Sequence, residues 1–534
     1  MLDGYFDGIK GFSIAEFNKN RAAYLACSWQ GPVARSINPV DDEKAAEARL
    51  QAQPTAMQTV SLPVWIPGSY LVREFSRHLQ KLAAQQDGKP VLLRQLDKNT
   101  WQAECVASRP MEVTYEVYAF DPSVRAAWLD AQRGFFNGTS LCLGVQGQEK
   151  RPHAIDIVPP TAASAAKWEL ATALLPLKVN KRGFGTYQAA DYDELVDCPV
   201  EMGRFWSADF KAGGVPHRLV VTGVPESFDG ERLLDDTRRI CEAEIRFWHD
   251  RPGRRKRPPF RHYLFLLNAV DDNYGGLEHR TSTALIASRR DLPRLGEARP
   301  GEGYTTLLGL ISHEYFHTWN VKQLRPAEFT RYDYGHENYT QLLWFFEGFT
   351  SYYDDLFLRR CGRIDDATYL RLLGKTINQV LQAPGREVQS VAQASYDAWI
   401  KYYRQDENTP NATISYYSKG ALVALCFDLT LRAEGRTTLD DVMRALWARC
   451  KGGPMTEADF AAVLKELGGR SFATHCMIRY KGRKSGKTFI TPLCYADIGG
   501  EVVIVVDRAG EQVGVHDRIH GDHPLVADRA LPAG

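Results

Sequence analysis

TTLLGLISHEYFHTWNV, residues 305–321, is the stretch whose reading decides the fold. It contains His313-Glu314-Tyr315-Phe316-His317, two histidines flanking a glutamate at HExxH spacing. Leu307, Leu308, Leu310 and Ile311 precede the motif, which suits a buried helix. Thr305 or Thr306 is the expected cap of its start, and Pro326 lies beyond its end. On a helix, positions i and i+4 share a face. Both imidazoles then reach one zinc ion, with the glutamate leaning over the metal's open side.

A catalytic zinc needs a third protein ligand and one open position for water. The expected ligand is Glu347, in the helical run LLWFFEGFTSYYDDL, residues 342–356, which should end near Gly362. Leu342, Leu343, Trp344, Phe345, Phe346 and Phe349 surround it. A carboxylate in such a stretch is costly to bury unless something neutralises it, and a metal does. The intervening residues 318–346 allow one helix to end, a loop to form and a second helix to return. Glu314 is the expected general base, taking a proton from water and passing it to the leaving amine.

Two further segments suit a peptidase site. Asn273-Tyr274-Gly275-Gly276-Leu277-Glu278-His279 follows an expected strand. Its glycines let a substrate backbone approach, and Glu278 suits an ammonium group. Ile414-Ser415-Tyr416-Tyr417-Ser418-Lys419-Gly420-Ala421 opens an apolar helix, and a tyrosine hydroxyl there can donate to an oxyanion.

Outward from these segments, the 534 residues exceed one hydrophobic core and predict two to four domains. Residues 1–200 carry short β-branched and aromatic runs such as QTVSLPVWI and MEVTYEVYAF, punctuated by Gly and Pro. They predict a sandwich-like or saddle-like β-domain. From about Arg204 strands and helices mix, and after residue 303 the chain reads as mainly helical to about Leu467. Residues 201–470 are therefore the expected catalytic domain, and residues 471–534 a short β-hairpin-containing tail. The basic run RPGRRKRPPFRH, residues 251–262, reads as a solvated connector.

Net charge is +1 and charged content 25%, giving no electrostatic reason to expect nucleic acid or a membrane surface. The first residues show neither the basic nor the apolar region of a secretory signal, so a cytoplasmic location is expected. Ten cysteines are scattered without a CxxC pair, which favours reduced thiols over disulfides or thiolate metal ligands. The oligomeric state is not legible.

Taken together, the chain resembles the gluzincin aminopeptidases: GGLEH, HEYFH, WFFEGF and SYYSKGA occur in the order of their motifs. More closely it resembles the glycyl aminopeptidase family of thermolysin-like zinc peptidases, which usually adds a C-terminal PDZ domain. LPVWIPGSYLVREFSRH, SVRAAWLDAQRGFFNGTSL, YDELVDCPVEMG, NYGGLEHRTST, HEYFHTWNVKQLRP and ENYTQLLWFFEGFTSYYDDL carry that resemblance. It implies a multidomain α+β fold, with an N-terminal β-domain followed by a mixed sheet and a helical lobe. It implies one zinc per chain on His313, His317 and Glu347, with Glu314 as base and proton shuttle. Tyr417, rather than Tyr416, corresponds to the oxyanion-stabilising tyrosine. Glu278 corresponds to the residue holding the substrate's amino group, beside Gly275 and Gly276. The implied substrates are peptides with N-terminal glycine or alanine.

Three departures stand out. Four residues after Glu347 lies Ser351, where related enzymes carry an aspartate that orients a zinc-bound histidine, so Asp354 or Asp355 becomes the candidate. GGLEH has Leu277 and His279 where relatives have Met and Asn. No PDZ domain is recognisable after residue 470; the segment there, with GRKSG at 482–486 and TPL at 491–493, resembles the opening hairpin of a deazaflavin-dependent nitroreductase. So short a segment cannot enclose that cofactor, and none is expected. The expected activity is a zinc aminopeptidase; an endopeptidase on the same scaffold and a non-catalytic peptide-binding relic are the alternatives.

Overall fold

The computed structural model describes residues 55–468 apart from 108, 252–253, 256 and 299–300. It also describes the backbone of the strands Tyr24–Pro32, His475–Lys481, Thr488–Ile498, Glu501–Ile504 and Ile519–His520. The chain divides into two compact units. The first comprises residues 1–242, 256–315 and 332–337, and the second residues 243–255, 316–331 and 338–534.

In the first unit, short antiparallel sheets come first. One has the order Tyr24–Pro32, Pro110–Tyr118, Leu79–Gln86, Lys89–Val91; another runs Gly144–Val145, Thr55–Ser61, Thr100–Val106, Leu93–Gln95. Strand period dictates the core: Met111, Val113, Tyr115 and Val117 alternate inward along one strand. Trp101, Ala103 and Cys105 do so on the other sheet, and all of these belong to one apolar core. That core continues into Val220, Leu264, Leu266, Leu277 and Ile286, residues of the sheet that carries the candidate site. The expected β-rich domain is therefore present, followed by a mixed and then helical region.

That sheet has five strands: β1 (Phe205–Ala212), β2 (Val215–Thr222), β3 (Tyr263–Val270), β4 (Gly275–Glu278) and β5 (Ser282–Ser288), in the order β1-β2-β3-β5-β4. β2, β3 and β5 are parallel, and both outer strands are antiparallel. β3 and β5 are buried along nearly their whole length, as strands covered on both faces must be, and β3 is apolar at all but Asn268. The edge strand β4 is the GGLE segment, paired Gly276 to Leu285 and Glu278 to Thr283. Helices α1 (Gly230–His249) and α2 (Glu302–Phe316) follow β2 and β5 in the chain.

α2 starts before the two threonines expected to cap it. Thr306 Oγ1 instead donates to Glu302 O (3.1 Å), one turn back inside the helix. The earlier start is held by Tyr304, whose hydroxyl donates to Asp236 Oδ2 of α1 (2.8 Å). At the other end, Tyr315 ties the zinc motif to the sheet: its hydroxyl donates to His217 Nε2 on β2 (2.8 Å), while His217 Nδ1 donates to Val215 O (2.9 Å). The Phe260, Tyr263 and Tyr315 rings surround the imidazole and Phe210 stacks on it at 4.9 Å. Phe260 is thus buried, so the end of the run read as a solvated connector is part of the core; its start forms a two-residue hairpin, Asp250–Arg251 with Arg254–Arg255.

Burial lowers the His217 pKa from the ordinary 6.5 to about 4. Between those values the unfolded chain takes a proton that the folded protein refuses. Stability is therefore complete above pH 6.5 and falls as pH drops toward 4, by about 3 kcal/mol in the limit. His217→Gln keeps an acceptor for Tyr315 without titrating. Its melting temperature should decline less between pH 7 and pH 4 than the parent's; equal declines would show that His217 is not held neutral.

The second unit is helical: α3 (Leu343–Arg360), α4 (Asp366–Gln382), α5 (Tyr416–Ala433), α6 (Leu439–Cys450) and α7 (Glu457–Leu467). α3 ends as expected just before Gly362, whose positive φ (72°) reverses the chain, with Arg363 N donating to Leu358 O (2.8 Å). The starts of α4, α5, α6 and α7 are capped by Asp365, Ser415, Thr438 and Thr456. The backbone after residue 474 forms a four-stranded antiparallel sheet, and the GRKSG turn lies outside the described residues. Among the described residues no helix is long and apolar enough to cross a membrane.

Candidate metal centre

His313 lies in the last turn of α2 and His317 directly follows it, so one helical turn separates them. One ligand atom from each of His313, His317 and Glu347 lies within 4.8 Å of the others. His317 is 1% exposed and Glu347 2%, so the carboxylate points inward from α3 and not into solvent. His317 Nδ1 faces Asn320 O at 2.8 Å; a carbonyl only accepts, so the proton sits on Nδ1. The Nε2 lone pair then faces Glu347 Oε2 at 3.1 Å. Two facing lone pairs in a dry site repel unless a proton or a metal ion joins them. Ligands each about 2 Å from a tetrahedral zinc sit roughly 3.3 Å apart, so the spacing fits the metal.

The partner that orients His317 is therefore the Asn320 carbonyl. Asp354 and Asp355, the acids considered for a zinc-bound histidine, lie near Tyr369, whose phenol is pushed up by burial first and then by these carboxylates. Asn320 is fully buried. Its side-chain amide donates to Phe346 O (3.1 Å) and Thr350 Oγ1 (3.2 Å) on α3, tying the chain after α2 to the turn that bears Glu347. An asparagine three residues past the second histidine, where a helix end leaves groups unpaired, was the available signal. Asn320→Ala should weaken zinc retention about 10- to 100-fold. Competition with a chromophoric chelator measures it, and unchanged affinity would refute the role.

α3 and α5 meet at glycines. A Cβ on Gly348 would lie 2.5 Å from Gly420 Cα, and one on Gly420 would overlap Trp344 O. This backbone contact brings the start of α5 beside Glu347. The Tyr417 phenol is pushed well above its usual range, by burial first and then by the Glu347 carboxylate. It stays protonated, and so a donor, across the working pH range. Tyr416 is fully buried and stacks on Tyr417 at 4.7 Å.

On the sheet side, β4 lies against the glutamate of the motif. A Cβ on Gly276 would overlap the Glu314 carboxylate, so only glycine permits this approach. Glu314 is 5% exposed and Glu278 4%. Glu278 and Glu314, with His317, also offer oxygen and nitrogen atoms within 4.8 Å of one another. A distant residue completes this wall. Ile66-Pro67-Gly68-Ser69 makes a tight turn, with Ser69 N donating to Ile66 O (3.0 Å) and Gly68 at φ 93°. A Cβ on Gly68 would lie 2.5 Å from Glu278 Oε2. The Pro-Gly pair signalled the turn, but nothing local signalled what it touches.

His279 is buried and its Nδ1 faces Asp197 Oδ1 at 3.3 Å, which anchors the end of β4. Gly275 lies beside Arg125, whose Nη2 donates to Gly276 O (3.1 Å).

Comparison with known proteins agrees with this architecture. Residues 36–204 match the peptidase M61 N-terminal domain, and residues 306–423 match the M61 glycyl aminopeptidase domain. No curated protein matches the chain in sequence. Among solved structures, the aminopeptidase N family protein from Idiomarina loihiensis is 35% identical over 90% of this chain and 83% of that one, with a TM-score of 0.73. The M1 zinc metallopeptidase from Deinococcus radiodurans is 15% identical over 78% and 87%, TM-score 0.46. Aminopeptidase A of Legionella pneumophila is 12% identical over 82% and 48%, TM-score 0.49. With both domains matched in order over more than half its length, and a relative of known structure matched along most of both chains, this protein is a metallopeptidase of the M61 glycyl aminopeptidase family.

Proposed function

We propose that the protein removes single small residues, glycine or alanine, from the N-termini of short peptides, with residues 201–470 as its catalytic domain. His313, His317 and Glu347 hold one zinc ion. Bound there, zinc polarises the scissile carbonyl and makes water acidic enough for a carboxylate to deprotonate. Glu314 takes that proton and returns it to the leaving amine. The Tyr417 hydroxyl donates to the oxyanion, and its raised pKa keeps the proton in place for this. Glu278 binds the substrate's ammonium group.

The observation that carries this reading is the edge strand. Gly276 touches the Glu314 carboxylate, and Glu278, two residues on, turns its buried carboxylate to the same face. Oxygens of Glu278 and Glu314 lie within 4.8 Å of each other, and the first carbonyl carbon of a peptide is two bonds from its ammonium, so an ammonium held at Glu278 sets the first peptide bond beside Glu314. Hydrolysis of glycyl- and alanyl-p-nitroanilide, with metal analysis and a chelator control, tests it. Chelator-sensitive release with one zinc per chain, and none from N-acetylated peptides, is expected. Cleavage of acetylated peptides would make the protein an endopeptidase. Zinc without any cleavage would make it a peptide-binding relic.

A further inference from the structure

Residues 62–70 are buried except at Gly68, which keeps partial exposure at the tip of its turn. The turn is tied down on both flanks. Val64 N donates to Tyr334 O (2.8 Å), Arg73 N to Val64 O (2.7 Å) and Trp65 Nε1 to Asp333 O (2.7 Å). Ser69, fully buried, accepts at Oγ from Arg73 Nη2 (2.7 Å). A turn held in this way does not yield, so whatever meets it must. A Cβ on Gly68 would lie 2.5 Å from Glu278 Oε2, 2.6 Å from Oε1 and 2.8 Å from Cδ. Both oxygens are nearer than the carbon, so Gly68 faces the outer end of the carboxylate and not its stem. A hydrogen-bonded ammonium approaches the same oxygens to about 2.8 Å, so turn and amino group share one small space.

We propose that Gly68 is a positioning residue for recognition of the free N-terminus: the turn at 66–69 holds the Glu278 carboxylate at the end of β4, and only a residue without a Cβ leaves it where an ammonium reaches it. This rests on the aminopeptidase reading, in which Glu278 takes the ammonium. An alanine at 68 meets the far end of a flexible side chain, so the carboxylate swings aside while the turn keeps its form. Backbone strain is a separate effect of that substitution, because φ at Gly68 is 93°. Gly88 isolates the strain: its φ is 75°, and a Cβ there would meet nothing within 4 Å.

The probes are alanine hydroxamate and propionohydroxamate, which share a zinc-chelating group and differ only in the amino group. Their affinities for the zinc-loaded protein are measured by calorimetry. The parent is expected to bind the amino compound about 10- to 100-fold more tightly. Gly68→Ala should bring that ratio near one, and Gly88→Ala should keep it. In Glu278→Ala the ratio is near one already, and adding Gly68→Ala should change neither affinity, since no carboxylate is left to displace. A Gly68→Ala protein that keeps the parental ratio, with affinities unchanged or both weakened, overturns the assignment and leaves the aminopeptidase reading in place. So does a Gly68→Ala protein that fails to fold where Gly88→Ala folds, because the overlap would then fall on the turn and not on Glu278. If the parent binds both probes equally, or neither, amine recognition at Glu278 fails and the inference fails with it.

Discussion

Glu314→Gln is expected to retain zinc and to lose turnover about a thousandfold. Glutamine has the shape of glutamate and keeps one carbonyl acceptor, but it cannot take a proton at working pH. Nothing in the metal-binding set should change: His313, His317 and Glu347 supply the ligand atoms, and the Asn320 carbonyl orients His317 independently of Glu314. Nor should the side chain move far. Gly276 presses against it, and at 5% exposure it has little space to rotate. The loss should therefore fall on kcat more than on KM, because the group acts on the proton in flight and not on the bound peptide. Steady-state kinetics on an alanyl anilide, with metal content of the same samples, separates the cases. A variant keeping a tenth of parental kcat with full zinc would remove Glu314 from the mechanism. A variant without zinc would show that its charge is needed to hold the metal.

The parts of the site that were legible in the sequence share one property: their geometry is fixed by spacing along a single element. His313 and His317 are one helical turn apart whatever else the chain does, and Glu314 follows from them. Glu347 was legible for a different reason. A carboxylate inside Leu342–Phe349 is costly to bury unless neutralised, and the structure buries it, at 2% exposure. The apolar alternation of Pro110–Tyr118 showed a half-buried strand in the same way. What could not be read was tertiary closeness. Gly68 reaches Glu278 across 210 residues of chain and Arg125 reaches Gly276 across 151. Neither residue type implies its partner. The start of α2 was misjudged because a tyrosine–aspartate bond to α1, not a local cap, sets it. The partner of His317 is a backbone carbonyl, which leaves no mark in a sequence.

Gly348→Ala and Gly374→Ala should change stability in opposite directions, although both put a methyl group on a helical glycine. Gly374 lies in α4, where a Cβ would meet nothing within 4 Å. There alanine gains the usual helix propensity and restricts the unfolded chain, so the variant should be more stable by about 0.5–1 kcal/mol. Gly348 has the same propensity to gain in α3, but its Cβ would stand 2.5 Å from Gly420 Cα and 2.6 Å from Gly420 C. Both are backbone atoms of α5, so no rotamer change relieves the overlap; the helices must part. Overpacking of this kind costs about 1–3 kcal/mol, which exceeds the propensity gain. A net loss of about 1 kcal/mol lowers the melting temperature of a unit this size by roughly 2–4 °C. The consequence reaches the chemistry, because the displaced residue adjoins Glu347 and the displaced helix carries Tyr417 in its first turn. Zinc retention and kcat should therefore fall together in Gly348→Ala, and neither should change in Gly374→Ala. Thermal unfolding of the three proteins, with metal content and anilide turnover, checks all of this. If Gly348→Ala is as stable as Gly374→Ala, α3 and α5 are not in backbone contact, and the glycine in WFFEGF has no part in bringing Tyr417 beside Glu347.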